Sequence, residues 1–212
     1  AAKGDSLSGT VNYSAVCDVI ARTATEKSYD LIETLAYACA AAVLEDRNAR
    51  GLKLTVYKPQ APVKHKFDTV GVTLELKKER VILSLGSSIG DKKGYLDSGL
   101  KRLDGTPGIR LVKVSSYIET EPYGGVAENM FINCAAEIET WLPPEKLLEE
   151  IHRIEAECGR VRNKRWEDRT LDIDIIFYGD KTIRDERLTV PHRDWNNREF
   201  VKIPLKSIAP QL

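Results

Sequence analysis

The stretch that most constrains this chain is Leu171–Tyr178, LDIDIIFY. It is almost wholly apolar and rich in β-branched residues, and Gly179-Asp180 follows as a turn signal, so the pattern predicts a strand. Two carboxylates interrupt it, Asp172 and Asp174. Residues i and i+2 of a strand point to one face, which sets the pair side by side, about 6–7 Å apart at the backbone. Ile173, Ile175, Ile176 and Phe177 predict that both faces of this strand are largely covered. Two like charges are costly there unless something neutralises them. A hard divalent cation does so, because Mg²⁺ takes oxygen ligands from one or two carboxylates and from substrate phosphates.

The residues just before the strand supply what phosphates require. Arg160, Arg162, Lys164, Arg165 and Arg169 crowd ten positions, opposed only by Glu167 and Asp168, and Trp166 stands among them. Guanidinium forks match phosphate oxygens bidentately, and an indole stacks on a base or an arginine. A basic loop leading into a two-carboxylate strand points to a polyanion bound with metal, and hence to phosphoryl-transfer chemistry. Singly, an Asp-x-Asp is an ordinary surface strand and an arginine cluster an ordinary solvated loop. It is their adjacency that carries the reading.

The other motifs narrow the choice. Gly86-Ser87-Ser88-Ile89-Gly90-Asp91-Lys92-Lys93 lacks the spacing of a phosphate-binding P-loop. No nucleophile-elbow or zinc-protease signature occurs. Lysine plus arginine and aspartate plus glutamate balance at 32 each, so no net charge draws the chain to nucleic acid or to a membrane surface. No apolar run reaches the roughly 18 residues of a membrane span. Cys17, Cys39, Cys134 and Cys158 have no metal-like spacing and read as reduced thiols of a cytoplasmic protein.

Periodicity predicts two segments. The first has helices over Val11–Thr23 and Tyr29–Glu45, then strands over Leu52–Tyr57 and Val70–Leu76. A charge run, Lys77 to Arg80, marks the junction. The second reads strand Val81–Leu85, helix Tyr95–Leu103, one long strand Ile109–Ile118, strand Asn129–Trp141, helix Pro144–Cys158, then the Asp-x-Asp strand. Leu188–Leu212 is expected to add a short strand and an irregular cap. This β-α-β-β-α-β order is the ferredoxin-like pattern, an α+β fold. Phe131 and Asn133 share a strand face that suits a flat, hydrogen-bonding ring, although a core Phe and an edge Asn fit the pattern equally well. Pro122 and Tyr123 lie in a loop suited to a ligand's lip. Glu33 reads as exposed, since Leu31 and Leu35 flank it at ±2.

Gly159-Arg160-Val161-Arg162, Arg165-Trp166, Arg169-Thr170-Leu171-Asp172-Ile173-Asp174 and Arg187-Leu188-Thr189-Val190-Pro191-His192 resemble the 6-hydroxymethyl-7,8-dihydropterin pyrophosphokinase family of folate biosynthesis. The similarity runs from about Val81 to the end. It implies pyrophosphate transfer from ATP, the co-substrate, to the pterin hydroxymethyl group, with AMP as product. By resemblance Asp172 and Asp174 hold two Mg²⁺ ions, and Arg160 and Arg169 neutralise the transferring group. Glu155, Arg162, Trp166, Arg187, Thr189, His192 and Arg198 fall at ATP-side positions. Thr120, Pro122, Tyr123, Phe131, Asn133 and Phe200 fall in the pterin pocket, the two phenylalanines sandwiching the ring. Where that family commonly has Gly-Ser-Asn, this chain has Gly86-Ser87-Ser88.

Val11-Asn12-Tyr13, Leu31 to Ala36 and Val56-Tyr57-Lys58-Pro59 resemble the C-terminal part of the dihydroneopterin aldolase family. That resemblance gives Tyr13, Glu33 and Lys58 roles in a second pterin site. It implies a partial tunnelling-fold (T-fold) domain over 1–78, lacking its N-terminal part, ahead of a pyrophosphokinase domain over 79–212. It also implies a homo-oligomer formed through the aldolase-like domain. The partners are then small molecules, with no nucleic acid and no membrane. The competing expectation is a non-catalytic, ferredoxin-like nucleic-acid-binding module.

Overall fold

The computed structural model describes residues 9–62, 64–124, 127–160 and 167–211. The chain divides into two compact units, Ala1–Lys78 and Glu79–Leu212.

In the first unit, helices α1 (Tyr13–Thr25) and α2 (Ile32–Leu44) precede strands β1 (Gly51–Lys58) and β2 (Val70–Lys77). The Asn12 side chain caps α1 by accepting from the Ser14 and Ala15 amides. Strands β1 and β2 pair antiparallel, with Leu54 opposite Leu74. Leu52, Leu54 and Val56 of β1 and Val72, Leu74 and Leu76 of β2 are half-buried. Alanines and Cys39 let α2 lie close, burying Ala36, Cys39, Ala40, Val43 and Leu44, whereas α1 buries none of its residues.

The second unit has strands β3 (Glu79–Ser87), β4 (Ile109–Val114), β5 (Ile118–Thr120), β6 (Phe131–Thr140) and β7 (Asp172–Tyr178), a small pair β8 (Ile183–Arg184) and β9 (Thr189–Val190), and helices α3 (Lys92–Asp104), α4 (Pro144–Glu157) and α5 (Glu199–Ile208). The main sheet runs β4-β6-β3-β7, every pair antiparallel, with β5 also on β6. That is the ferredoxin-like arrangement. One face packs Val81, Leu83, Leu85, Ile138, Ile173 and Ile175 against Leu96 and Leu103 of α3 and Leu147, Ile151 and Ile154 of α4. The opposite face packs Ile82, Ala135 and Ile176 against Val201, Leu205 and Ile208 of α5. Among the described residues no helix is long and apolar enough to cross a membrane.

Three expectations need correction. Ile109–Ile118 is not one strand. The pairing with β6 shifts between Leu111 and Lys113, and at Ser115 both the backbone and the hydroxyl engage Ala135, so the chain breaks and resumes as β5. The tail is not irregular: α5 forms despite Pro204. Its buried residues Val201, Pro204, Leu205 and Ile208 follow helical spacing, and the apolar contact outweighs the one backbone hydrogen bond that proline removes. Helix α3 also begins earlier than expected, because the Asp91 carboxylate accepts from the Gly94 amide as a cap.

Candidate active site

Helix α5 covers only part of its sheet face. Beyond Ile82 and Ile176 the next rungs of that face carry Ser84 opposite Asp174 and Gly86 opposite both Asp172 and Asn133. These rungs floor a cavity of about 460 Å³. Its walls come from the end of α4, from β5, from β9 and from the segment leading into α5. Asp172 and Asp174 stand on the same face, as the strand period requires, each partly open to the cavity.

Among the described residues, three guanidiniums neutralise the pair. Arg160 Nη1 lies 2.6 Å from Asp172 Oδ1, and Arg169 Nη1 donates to Asp172 Oδ2 at 2.9 Å. Arg198 Nη1 lies 3.7 Å from Asp174 Oδ2. Glu155, 2% exposed, accepts from the Ile173 amide at 2.9 Å and from Arg160. Gly159 makes this possible. Its φ of +79° turns the chain after α4, so that the Arg160 amide returns to the Glu155 carbonyl at 3.0 Å. Arg169 is pinned through its backbone: its amide donates to Ser88 Oγ at 2.9 Å and its carbonyl accepts from the Ser88 amide at 3.0 Å.

The electrostatics follow from this crowding. Burial pushes the Asp174 carboxyl up to about 7, the Asp172 charge adds to the rise, and Arg198 opposes it. Its carboxylate faces the cavity, yet protein surrounds it closely enough to make solvation poor. A divalent cation would relieve that deficit. Among the described residues no group of three or more His, Cys, Asp or Glu side chains completes a cage. The donor set is thus two carboxylates with room for water and phosphate oxygens, which fits Mg²⁺. Burial, and then the Arg198 charge, lower the pKa of His192, so its imidazole favours the neutral form. Its Nδ1 accepts from the Asp194 amide at 3.3 Å.

The far side of the cavity is suited to a flat polar ring. Asn133, 3% exposed, donates from Nδ2 to Thr120 Oγ1 at 2.8 Å. Phe131 and Phe200 line the same space, and Tyr123 meets Phe200 edge-on at 5.8 Å between centroids. Gly86 is required by close approach: a Cβ there would fall 2.7 Å from Asn133 Oδ1.

The structure therefore brings together Arg160, Arg169, Asp172, Asp174, Glu155, Arg187, Thr189, His192, Arg198, Thr120, Tyr123, Phe131, Asn133 and Phe200 around one cavity. Pro122 belongs to the same loop but does not line it. Arg162 and Trp166 lie outside the described residues. Tyr13, Glu33 and Lys58 are all exposed, at the start of α1, the first turn of α2 and the end of β1, and none lines this cavity. Other contributors among the described residues were not anticipated as site residues. His152 lines the wall from α4, and Asp168 lines it while accepting from the Asn129 side chain at 2.7 Å and the Glu128 amide at 3.3 Å. Asp194 sits just behind the wall, bonded to Tyr123 and Arg198. Of these, only His152 carried a sequence signal, as it follows Leu148 at helical spacing on α4.

The chain is similar to proteins of two known families. Residues 82–210 match the family model of 7,8-dihydro-6-hydroxymethylpterin-pyrophosphokinase (HPPK), and residues 1–75 match that of dihydroneopterin aldolase. The chain is 45% identical over 130 residues to the 2-amino-4-hydroxy-6-hydroxymethyldihydropteridine pyrophosphokinase of Haemophilus influenzae, covering 61% of this chain and 81% of that one. It is 46% identical over 133 residues to the enzyme of the same name from Methylorubrum extorquens, covering 63% and 84%. The one from Bacillus subtilis is 42% identical over 130 residues, covering 61% and 78%.

Proposed function

The chain belongs to the 7,8-dihydro-6-hydroxymethylpterin-pyrophosphokinase family, and on that premise we infer that it transfers pyrophosphate from ATP to 6-hydroxymethyl-7,8-dihydropterin in folate biosynthesis. The products are AMP and the pterin diphosphate. One observation carries the reading onto these residues. A paired-carboxylate strand face, set among three guanidiniums, opens into the same cavity as an Asn–Thr pair flanked by phenylalanines. The comparisons give no support to the nucleic-acid-binding alternative.

The roles follow from position. Asp172 and Asp174 hold Mg²⁺, two ions in our reading, and the metal supplies charge neutralisation and alignment of the triphosphate. Arg160 and Arg169, already on Asp172, are placed to turn onto phosphate oxygens and stabilise charge that develops on transfer. Arg187, Thr189, His192 and Arg198 receive the nucleotide, with Glu155 fixing Arg160 from behind. A neutral His192 offers hydrogen bonding without adding charge. Asn133 and Thr120 read the pterin edge, while Phe131, Phe200 and Tyr123 take its faces and rim. Holding the hydroxymethyl oxygen and the β-phosphorus in line makes the step effectively intramolecular, which lowers the barrier by the entropy already lost on binding. We further propose that the protein acts in the cytoplasm. Copies would associate through the exposed Tyr13, Leu31 and Tyr57 of the first unit. Tyr13, Glu33 and Lys58 mark where an aldolase site would form there.

The test is AMP formation from ATP, Mg²⁺ and 6-hydroxymethyl-7,8-dihydropterin, beside folded Asp172→Ala and Asp174→Ala variants. The reading expects turnover by the wild type and a loss of several orders of magnitude in both variants. A wild type that binds neither ligand overturns it.

A further inference from the structure

We propose that Asp194 is a positioning residue that couples the two halves of the cavity by fixing Arg198 and Tyr123 against each other. The proposal rests on the pyrophosphokinase reading above. Asp194 precedes the short 3-10 turn Trp195–Asn197, between β9 and α5. It does not line the cavity, so it acts only through its neighbours. Its Oδ2 accepts from Tyr123 Oη at 3.1 Å and from Arg198 Nε at 3.2 Å. Its Oδ1 accepts from Asn197 Nδ2 at 2.9 Å. One carboxylate oxygen thus joins a side chain of the lip loop to an arginine of the nucleotide wall.

What Asp194 holds explains why this matters. Arg198 is 15% exposed. Its guanidinium lies 5.3 Å from the Tyr123 ring centroid and 5.8 Å from that of Phe200, so it packs against both rings. Nε is taken by Asp194, which leaves the Nη groups to face Asp174 and the cavity. A guanidinium is a planar fork, so fixing Nε fixes the direction of both Nη groups. Without the carboxylate, Nε is a nearly buried donor with no acceptor and Tyr123 Oη loses its anchor. The side chain can then satisfy Nε only by moving away from the two rings. That one movement disturbs the nucleotide side and, through Tyr123 and Phe200, the pterin side.

A merely structural Asp194, serving as the cap of a loop, predicts something different. Its loss would lower thermal stability and leave the kinetic constants of folded protein alone. The experiment is steady-state kinetics with ATP and pterin varied in turn, for wild type, Asp194→Ala and Asp194→Asn, at temperatures where circular dichroism shows each folded. Loss of a charge-assisted hydrogen bond frees both partners, so Asp194→Ala should raise KM for both substrates by roughly tenfold. The change in kcat should be smaller. Asp194→Asn keeps an acceptor without the charge and should recover part of the loss. In an Arg198→Ala background the ATP effect of Asp194→Ala should vanish, and in a Tyr123→Phe background the pterin effect should shrink. If Asp194→Ala does not fold, Asp194→Asn in the same two backgrounds decides the matter. Unchanged KM values in a folded variant, or full additivity in both cycles, overturn the proposal. An inactive wild type refutes instead the function from which it starts.

Discussion

Arg169 is expected to compete with the metal it helps to serve. Both oxygens of Asp172 are engaged, one by Arg160 at 2.6 Å and the other by Arg169 at 2.9 Å. A cation that takes Asp172 as a ligand competes with them for the same oxygens and repels their charge. Replacing Arg169 by glutamine is the cleaner perturbation, because Arg160 also neutralises the buried Glu155, whereas the backbone bonds of residue 169 to Ser88 do not depend on its side chain. The side chains of Arg169 and Asp172 are 18% and 24% exposed, so the pair is partly desolvated. A hydrogen bond to a charged group contributes about 1.5–3 kcal/mol, and residual solvation brings the expected gain to about 1–2 kcal/mol. At about 1.4 kcal/mol per tenfold, Arg169→Gln should bind Mn²⁺ some five- to thirtyfold more tightly than wild type when no nucleotide is present. With ATP present the order should reverse, since the arginine then serves phosphate. Titration of free Mn²⁺ by electron paramagnetic resonance measures the first quantity, and Asp172→Asn should abolish the binding. Equal or weaker Mn²⁺ affinity in nucleotide-free Arg169→Gln would refute the reasoning.

Other perturbations have defined outcomes. Gly86→Ala places a methyl group 2.7 Å from Asn133 Oδ1, so the amide must leave Thr120. KM for the pterin should rise by about tenfold, the value of one to two displaced hydrogen bonds, with a smaller change for ATP in the same assay. Glu155→Gln keeps an acceptor for the Ile173 amide but removes the anion from Arg160, and urea unfolding should show a loss of about 1–3 kcal/mol. No loss would mean that Asp172 alone suffices for Arg160. His192 has a lowered pKa in the fold, so the unfolded chain takes up its proton first. Its contribution to stability is full above about pH 6.5 and is lost as pH falls through the folded pKa. The difference in urea midpoint between pH 7.5 and 5.5 should therefore be smaller in His192→Gln than in wild type, and an unchanged difference would contradict the shift.

The sequence by itself determined the parts whose cause is local. Strand period alone put Asp172 and Asp174 on one face, and the apolar residues around them required that this face meet something other than water. Helix period and the Pro144 and Gly159 boundaries placed α4, and with it the basic residues that follow Gly159. The order of elements was legible for the same reason, as each buries a face whose spacing shows in the residues. Only the tertiary structure decided which residues meet. Ser88 and Arg169, far apart in the chain, share two hydrogen bonds because β3 ends beside the segment leading into β7. Tyr123 and Arg198 meet at Asp194, an aspartate in a loop with no periodicity to mark it. The break between β4 and β5 follows from a hydroxyl at Ser115 that reaches the neighbouring strand, and α5 forms against a proline because a patch of sheet needs covering. Local spacing records which face a residue takes. The partner on that face depends on register and packing, which no single stretch of sequence contains.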